Sequence, residues 1–448
     1  MMNEIWFLED TISLKQRKLS SWRFLCCLCV IAFLPLAASA ADEIKPGETL
    51  DLSRCIAIAL KNHPAIKGAA GGLKASESRV SQARSGYYPQ ADLSSGYSRN
   101  HASGTSGSLD SGRTSYDHYQ SSFNLNGTLY DFGKTSAQVD VQSLGADASR
   151  ADLDDTASRI VLGVKQAYYG MLQAMQSKIA YAETVVQFSR HLDQARRFYE
   201  VGTKPRIDVT NAEVDLSQAR LNLLKADNAL RIARISLNNA MGVPDAPAYE
   251  VNDSTAYQDY PMDLATALAR GYAARGDLAS ATAKREAAER SIDLARTGYY
   301  PVLSGSAGYG WSGQEFPLDK QWTVGAALNF PLFSGFLTRS QVEEARANLE
   351  TARANEEHIR QGIRFDVEQA FSNLTESRER IVLTELTVRQ AKENRELAQG
   401  RYAAGVGNTI EVTDALVLEI NAKTAHINAL SDYRLAIASL EKAFGVKQ

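Results

Sequence analysis

Residues 125–139 read LNGTLYDFGKTSAQV. They join a stretch of period-two alternation to one of helical composition, with Gly-Lys-Thr at the join. A phosphate-binding loop ends in that tripeptide, but it sets four residues between its first glycine and the Gly-Lys-Thr, so that backbone N–H groups curl around the anion. Gly127 and Gly133 instead enclose five: Thr128, Leu129, Tyr130, Asp131 and Phe132. A phosphate-loop strand is also buried on both faces and nearly all apolar. Here Asn124, Asn126 and Thr128 put polar groups on one face. The stretch is therefore read as a strand-to-helix joint in which Gly133 bends the chain and Lys134-Thr135-Ser136 open a helix.

The chain contains this joint twice. Tyr199–Val243 aligns without a gap on Tyr402–Val446 at a spacing of 203 residues, with 16 identities in 45 positions, where average composition gives roughly three. Gly202 matches Gly405, Ile207 matches Ile410, and Val209-Thr210 match Val412-Thr413. In the same register PLFSGFLTRSQV (331–342) repeats the joint, with its glycine one position earlier and no Gly-Lys-Thr. Upstream, ARSGYYP (83–89) answers ARTGYYP (295–301) at a spacing of 212. An internal two-fold repeat is expected, with residues 41–250 as the first structural repeat and 251–448 as the second.

Prolines point to long helices. None lies between Pro89 and Pro205, between Pro205 and Pro244, or after Pro331. Proline breaks helix interiors, so these spans are free to be continuous, and Ala, Gln, Glu, Arg and Leu dominate them. A helix from Lys134 to Val201 would run roughly 100 Å, a rod that suits a coiled coil or a helical barrel. VGTKPRIDV (201–209) and AGVGNTIEV (404–412) are read as sharp turns with Gly202 and Gly405 as helix stops. The returning helix, expected from Asp208 to Met241, is shorter than its partner. A helix from Ala65 to Tyr87 would stack end to end with it.

Four strands are predicted, about 90–100, 117–131, 302–311 and 321–331. Tyr119, Phe123, Leu125 and Leu129 alternate with Gln120, Ser122, Asn124, Asn126 and Thr128. Trp322, Val324, Ala326 and Leu328 alternate with Thr323, Gly325 and Asn329. Their lengths are near the roughly 9–11 residues that cross a bilayer at a tilt. Aromatic residues cluster at the helix-side ends, at Tyr87-Tyr88, Tyr130/Phe132, Tyr299-Tyr300 and Phe330/Phe333, as an interfacial girdle does. The connections 101–117 and 312–320 are polar. Four strands cannot close a barrel and open edges are not tolerated in lipid, so three copies supplying twelve strands are expected.

Lys15, Arg17, Lys18 and Arg23 precede an apolar run, Phe24–Leu36, and Ala38-Ser39-Ala40 supplies a cleavage motif. Residues 1–40 are read as a secretory signal peptide. No lipid anchor is expected, because Cys26, Cys27 and Cys29 lack a preceding small residue. Cys55 alone remains after cleavage, too few for an intrachain disulfide. A net charge of −3 makes no case for nucleic acid. After Leu36 no apolar run approaches the roughly 18 residues of a membrane-spanning helix.

With these features the chain resembles the outer-membrane efflux proteins, the TolC-like channels. The likeness covers roughly residues 50–446 and rests on CIAIALKNHPAI (55–66), the paired ARSGYYP and ARTGYYP, LYDFGK (129–134) and the two glycine-bearing tips. The resemblance implies a mainly α protein with a small β part. It would be a homotrimer whose twelve-stranded outer-membrane barrel, four strands from each chain, continues into a tunnel of long α-helical hairpins across the periplasm. Its partners would be outer-membrane lipid, a periplasmic membrane-fusion (adaptor) protein and an inner-membrane pump or ABC exporter, in an efflux or type I secretion system. By position, Glu411 and Asp414 match two acidic rings at the closed tip, and Tyr402 and Asp208 match a tyrosine–aspartate latch. A second latch, of arginine and threonine, falls on Gly407 and Ile207 and is missing, with Arg206 the neighbour placed to stand in. The adaptor would dock at two turns, Val201, Gly202, Thr203 and Ala404, Gly405, Val406.

Enzyme chemistry finds no foothold. The six histidines are scattered without metal-ligand spacing, so neither metal nor cofactor is expected. Gly308-Tyr-Gly-Trp-Ser-Gly313 matches a dinucleotide fingerprint in letters only, since no helix follows it. Glu343-Glu344 and Glu356-Glu357 are read as solvated helix faces. Two function classes remain: a passive export duct, and a periplasmic coiled-coil scaffold or adaptor without a membrane barrel.

Overall fold

The computed structural model describes residues 44–102, 114–252 and 259–445. The signal peptide and the middle of the polar connection 101–117 lie outside the described residues. The first copy runs β1 (Thr49–Leu50), α1 (Leu52–Asn62), α2 (Pro64–Arg84), β2 (Gln90–Ala102), β3 (Thr114–Tyr130), α3 (Lys134–Glu200) and α4 (Arg206–Met241). The second repeats the order as β4 (Glu250–Val251), α5 (Leu264–Ala274), α6 (Gly276–Arg296), β5 (Val302–Gly313), β6 (Asp319–Asn329), α7 (Leu337–Ala403) and α8 (Thr409–Ala443). The long helices keep the spacing of 203 and the short ones that of 212. The extra residues of the first copy therefore fall in its strand-to-strand connection.

Helices α3 and α7 hold 67 residues each, roughly 100 Å of rod. Each is paired along one part by its returning helix and along the rest by a short one: α2 and α4 both pack on α3. The stacking is close. Gly242, left-handed at the end of α4, abuts the α1–α2 junction so tightly that a Cβ there would lie 2.8 Å from His63 Cα. Gly445 makes the matching approach in the second copy, where a Cβ would lie 2.8 Å from the carbonyl carbon of Ala274. Only glycine satisfies both the positive φ and the space.

Near mid-length, α3 turns Val164, Tyr168, Met171 and Leu172 onto Leu50, Cys55, Ile58, Leu237 and Met241. The parallel pair β1–β4 lies over this core, and the Tyr168 hydroxyl donates to the Asn252 carbonyl at 2.6 Å. Two-residue strands carry no periodicity, so these were not foreseen. Ion pairs also tie helix to helix. Glu356, expected on a solvated face, is buried and receives Arg285 at 2.7 Å and Arg360 at 2.9 Å. Its neighbour's letter is the same, but only Glu356 faces α6.

The four remaining strands form one antiparallel sheet in the order β2-β3-β5-β6, leaving β2 and β6 as unpaired edges. Cross-strand rows separate by chemistry. Leu93, Phe123, Tyr309 and Trp322 form one row, and Ala91, Leu125, Ala307 and Val324 the next. On the opposite face run Asp92, Asn124, Gly308 and Thr323, then Ser94, Ser122, Gly310 and Gln321. Nothing among the described residues covers the apolar face: Trp322 is 73% exposed and Val324 75%.

At the joint, Phe132 (φ 53°) and Gly133 (φ 88°) are both left-handed, and so are Gly335 (φ 60°) and Phe336 (φ 66°). The two copies thus use one glycine and one phenylalanine in opposite order, which accounts for the shifted glycine in the sequence. The Asp131 carboxylate accepts the N–H groups of Gly133 at 3.1 Å and Thr135 at 2.7 Å, and the Thr135 hydroxyl as well. Partial burial alone would raise its pKa, but the bonds from Thr135, Gly133 and Lys134 outweigh it and hold the carboxyl below its ordinary value. The start of α3 is therefore occupied by the chain's own anion, and Gly-Lys-Thr is a capped helix start.

Candidate functional site

The two hairpin turns meet at the end of the bundle farthest from the sheet. Helix α3 stops where Gly202 turns left-handed (φ 74°) and the Thr203 N–H reaches back to the Phe198 carbonyl at 2.9 Å. Gly405 (φ 79°) and the Val406 N–H, 3.1 Å from the Arg401 carbonyl, end α7 in the same way. Both are six-to-one closures that need glycine after the last helical residue. Val201, Gly202, Thr203, Ala404, Gly405 and Val406 are all exposed, with Val201 70% and Val406 71% open to water.

Above the turns the four long helices lie in the order α4, α3, α8, α7, sharing one apolar cluster. Phe188, Leu192 and Ala195 of α3 meet Leu216 of α4, Tyr402 of α7 and Leu416 of α8. Tyr402 is fully buried, its ring 5.3 Å from His191 and 5.4 Å from Phe198. Its hydroxyl has no hydrogen-bond partner among the described residues. Burial first, and then the charge of Asp208, raise its pKa, against the Thr409 hydroxyl. The Asp208 charge is thus felt at Tyr402, but no latch hydrogen bond joins the two among the described residues. Asp208 lies in the first turn of α4, where Pro205 rather than a side chain is the cap, so the helix dipole favours its charge.

Glu411 and Asp414 lie three apart in the first turns of α8, a spacing that shares one helix face. Asn408 caps that helix by accepting the Glu411 N–H at 2.8 Å. Glu411 is half-buried and 3.3 Å from Arg401, and Asp414 is exposed. Where the resemblance placed an arginine, Gly407 has no room for a side chain: a Cβ would lie 2.9 Å from the Tyr402 nitrogen. Arg206 does not replace it, forming no ion pair or side-chain hydrogen bond among the described residues. Lys204 does reach across, donating to the Gly407 carbonyl at 3.0 Å with its ammonium 5.4 Å from the Tyr402 ring centre.

Further links cross the repeats next to the turns. His191 Nε2 lies 2.9 Å from Thr409 Oγ1, and the Thr413 hydroxyl donates to Asp215 at 2.8 Å. Burial lowers the His191 pKa, with Asp215 and Asp208 pulling it upward. None of Lys204, His191, Thr409 and Asp215 was singled out from the sequence. For Lys204 a signal existed, since the repeat alignment sets it opposite Gly407. Among the described residues there is no cluster of metal-ligating side chains, and no helix is long and apolar enough to cross a membrane.

The fold agrees with that of known proteins. The model of the outer membrane efflux protein family matches residues 55–243 and 270–446, one segment in each copy. Outer membrane protein TolC of Escherichia coli strain K12 is 23% identical over 402 residues, covering 86% of this chain and 80% of that protein. Protein CyaE of Bordetella pertussis is 27% identical over 422 residues, covering 92% and 86%. Among solved structures, the Campylobacter jejuni CmeC outer membrane channel superposes with a TM-score of 0.76 at 20% identity, covering 88% of this chain and 85% of that one. The Vibrio cholerae outer membrane protein VceC gives 0.75 at 20% identity, covering 88% and 96%. The chain belongs to the outer membrane efflux protein family.

Proposed function

We propose that this protein is the outer-membrane exit duct of a tripartite efflux or type I secretion system. Three copies pair β2 of one with β6 of the next, closing a twelve-stranded barrel, and their hairpins line a periplasmic tunnel. The observation that carries this reading is the uncovered row Leu93, Phe123, Tyr309 and Trp322 on a sheet with two open edges. In water such a face would be left unpaired and exposed; in lipid the same face is outward and the closed barrel has no edge. A soluble scaffold offers neither a cover for that face nor partners for the edges.

Exposed apolar residues support assembly along the tunnel. Ile207, Val214, Leu221 and Ile235 recur on α4 at multiples of seven, and Val382, Leu386 and Leu397 stand out on α7. These two helices flank the four-helix unit, where a neighbouring copy would meet it. The duct is passive, its energy supplied by an inner-membrane pump or exporter. The exposed turns, tipped by Val201 and Val406, are the docking points for the adaptor. Glu411 and Asp414 repeat three times around the tip as acidic rings that favour cations, with Tyr402 and Asp208 beside the turns that carry them. Detergent extraction of outer membrane is the test: a trimer is expected there, and a monomer in the soluble periplasm would overturn the reading.

A further inference from the structure

The two copies repeat each other down to single close contacts. A Cβ on Gly86 would lie 3.0 Å from Thr135 Cγ2, and one on its counterpart Gly298 would lie 2.9 Å from Thr338 Cγ2. Residues 203 apart on the long helices therefore stand in equivalent places. Within a chain the copies meet where α3 packs on α8. There Gln173 donates to Asn428 at 2.8 Å, and Leu162 and Ala438 wall one small cavity. Replacing α3 by its counterpart α7, and α8 by α4, carries these contacts to the two flanks of the chain. Leu162 becomes Phe365, Ala438 becomes Ile235, Gln173 becomes Glu376 and Asn428 becomes Lys225.

All four counterparts stand open. Ala438 is buried at the inner seam, whereas Ile235 is 66% exposed and Phe365 64%. Lys225 and Glu376 are exposed as well. Lys225 forms no ion pair among the described residues, and Glu376 receives only Arg380 of its own helix, at 3.3 Å. Phe365 and Glu376 are three turns apart on α7 and share a face. That face points away from Ile363, Ala370 and Leu374, which are buried inside the copy. We propose that α4 of one chain seats on α7 of the next, with Ile235 on Phe365 and Lys225 beside Glu376, repeating the inner seam from chain to chain. This rests on the trimeric duct described above. The occupant is a second copy, because the flanks are the two halves of a seam already built inside the chain. They differ from it in charge: a neutral amide pair within the chain becomes an ammonium and a carboxylate between chains. Pairing α4 with α4, or α7 with α7, would set like charges on one face, so the ions favour head-to-tail contacts that close a ring. The bulkier apolar pair holds these two helices slightly farther apart than α3 and α8.

Two measurements on the full-length protein from outer membranes test it. Lys225→Glu and Glu376→Lys are each expected to speed dissociation of the trimer about tenfold, since three seams each lose a partly exposed ion pair. The double variant is expected to restore the wild-type rate. Single variants that dissociate like wild type, or a double variant that fails to recover, overturn the pair. For the apolar contact, chains with Ile235→Cys are co-expressed with chains carrying Phe365→Cys and treated with a short bismaleimide. Cys55 is fully buried and does not compete. A covalent product joining one chain of each kind is expected. An intact trimer that does not link, or a link between two Ile235→Cys chains, overturns the seam alone. A link from Phe365→Cys to a different protein gives that face to an adaptor and overturns the seam as well. Chains that stay monomeric overturn the duct and the seam with it.

Discussion

His191 and Thr409 meet across the seam between the repeats, with Nε2 2.9 Å from Oγ1 and Nδ1 of the same ring buried without a partner. A proton added to this imidazole would put a charged N–H against an apolar wall, which is why burial lowers its pKa below the ordinary 6.5. Asp215 and Asp208 offset part of that cost. With a depressed folded-state value, the stability lent by the neutral ring is fully present above pH 6.5 and is lost as pH falls through the folded value.

Mild acid should therefore loosen the tip. Thermal unfolding of the trimer, followed from about pH 7.5 down to about 5.5 across the histidine range, is expected to show a falling midpoint. His191→Gln should flatten that slope by removing the titrating group. An identical slope in the variant would assign the acid sensitivity to other residues.

The acidic pair near the start of α8 makes a separate prediction. Glu411→Ala combined with Asp414→Ala should lower cation preference, because charge rings set selectivity in a narrow pore. Reversal potentials in a salt gradient across a planar bilayer read this directly. Unchanged selectivity would remove both residues from the gate.

The two faces of the sheet should respond oppositely to charge. Val324→Lys places an ammonium on the apolar row, at a cost of about 2–4 kcal/mol near the membrane midplane. The adjacent Thr323→Lys points to the polar face and should cost little. Trimer yield from outer membranes is expected to drop for the first and hold for the second; the reverse order would invert the barrel.

The joint that imitates a phosphate loop should behave as a helix cap. Asp131→Ala removes the acceptor of the Gly133 and Thr135 N–H groups, a loss of about 0.5–2 kcal/mol. The Asp131 pKa is depressed, so this stabilisation is present above the ordinary value of 3.8 and fades as pH falls through the folded one. Calorimetry of wild type and variant at neutral and acid pH checks both the size and the sign.

Much of the architecture was legible because its signals are local. Alternation in Tyr119–Leu129 named the faces of β3, and the sheet register then aligned Phe123 with Tyr309 and Trp322 as that alternation implied. Strand ends were less clear: β3 begins at Thr114 rather than near 117, since polar residues at a barrel rim look like loop. Glu356 was misread for the opposite reason. A helix-surface letter says nothing about whether another helix brings Arg285 to it.

The sequence by itself determined the two copies, the long rods, the strand faces and the joint at Gly133. Each depends on proline placement, period or glycine, which act over a few residues of chain. Only the tertiary structure decided the tip. The partners there, His191 with Thr409 and Lys204 with Gly407, are separated by 218 and 203 residues. Which side chains meet depends on the phase and level at which α3 of one copy runs past α8 of the other, and no local pattern encodes that.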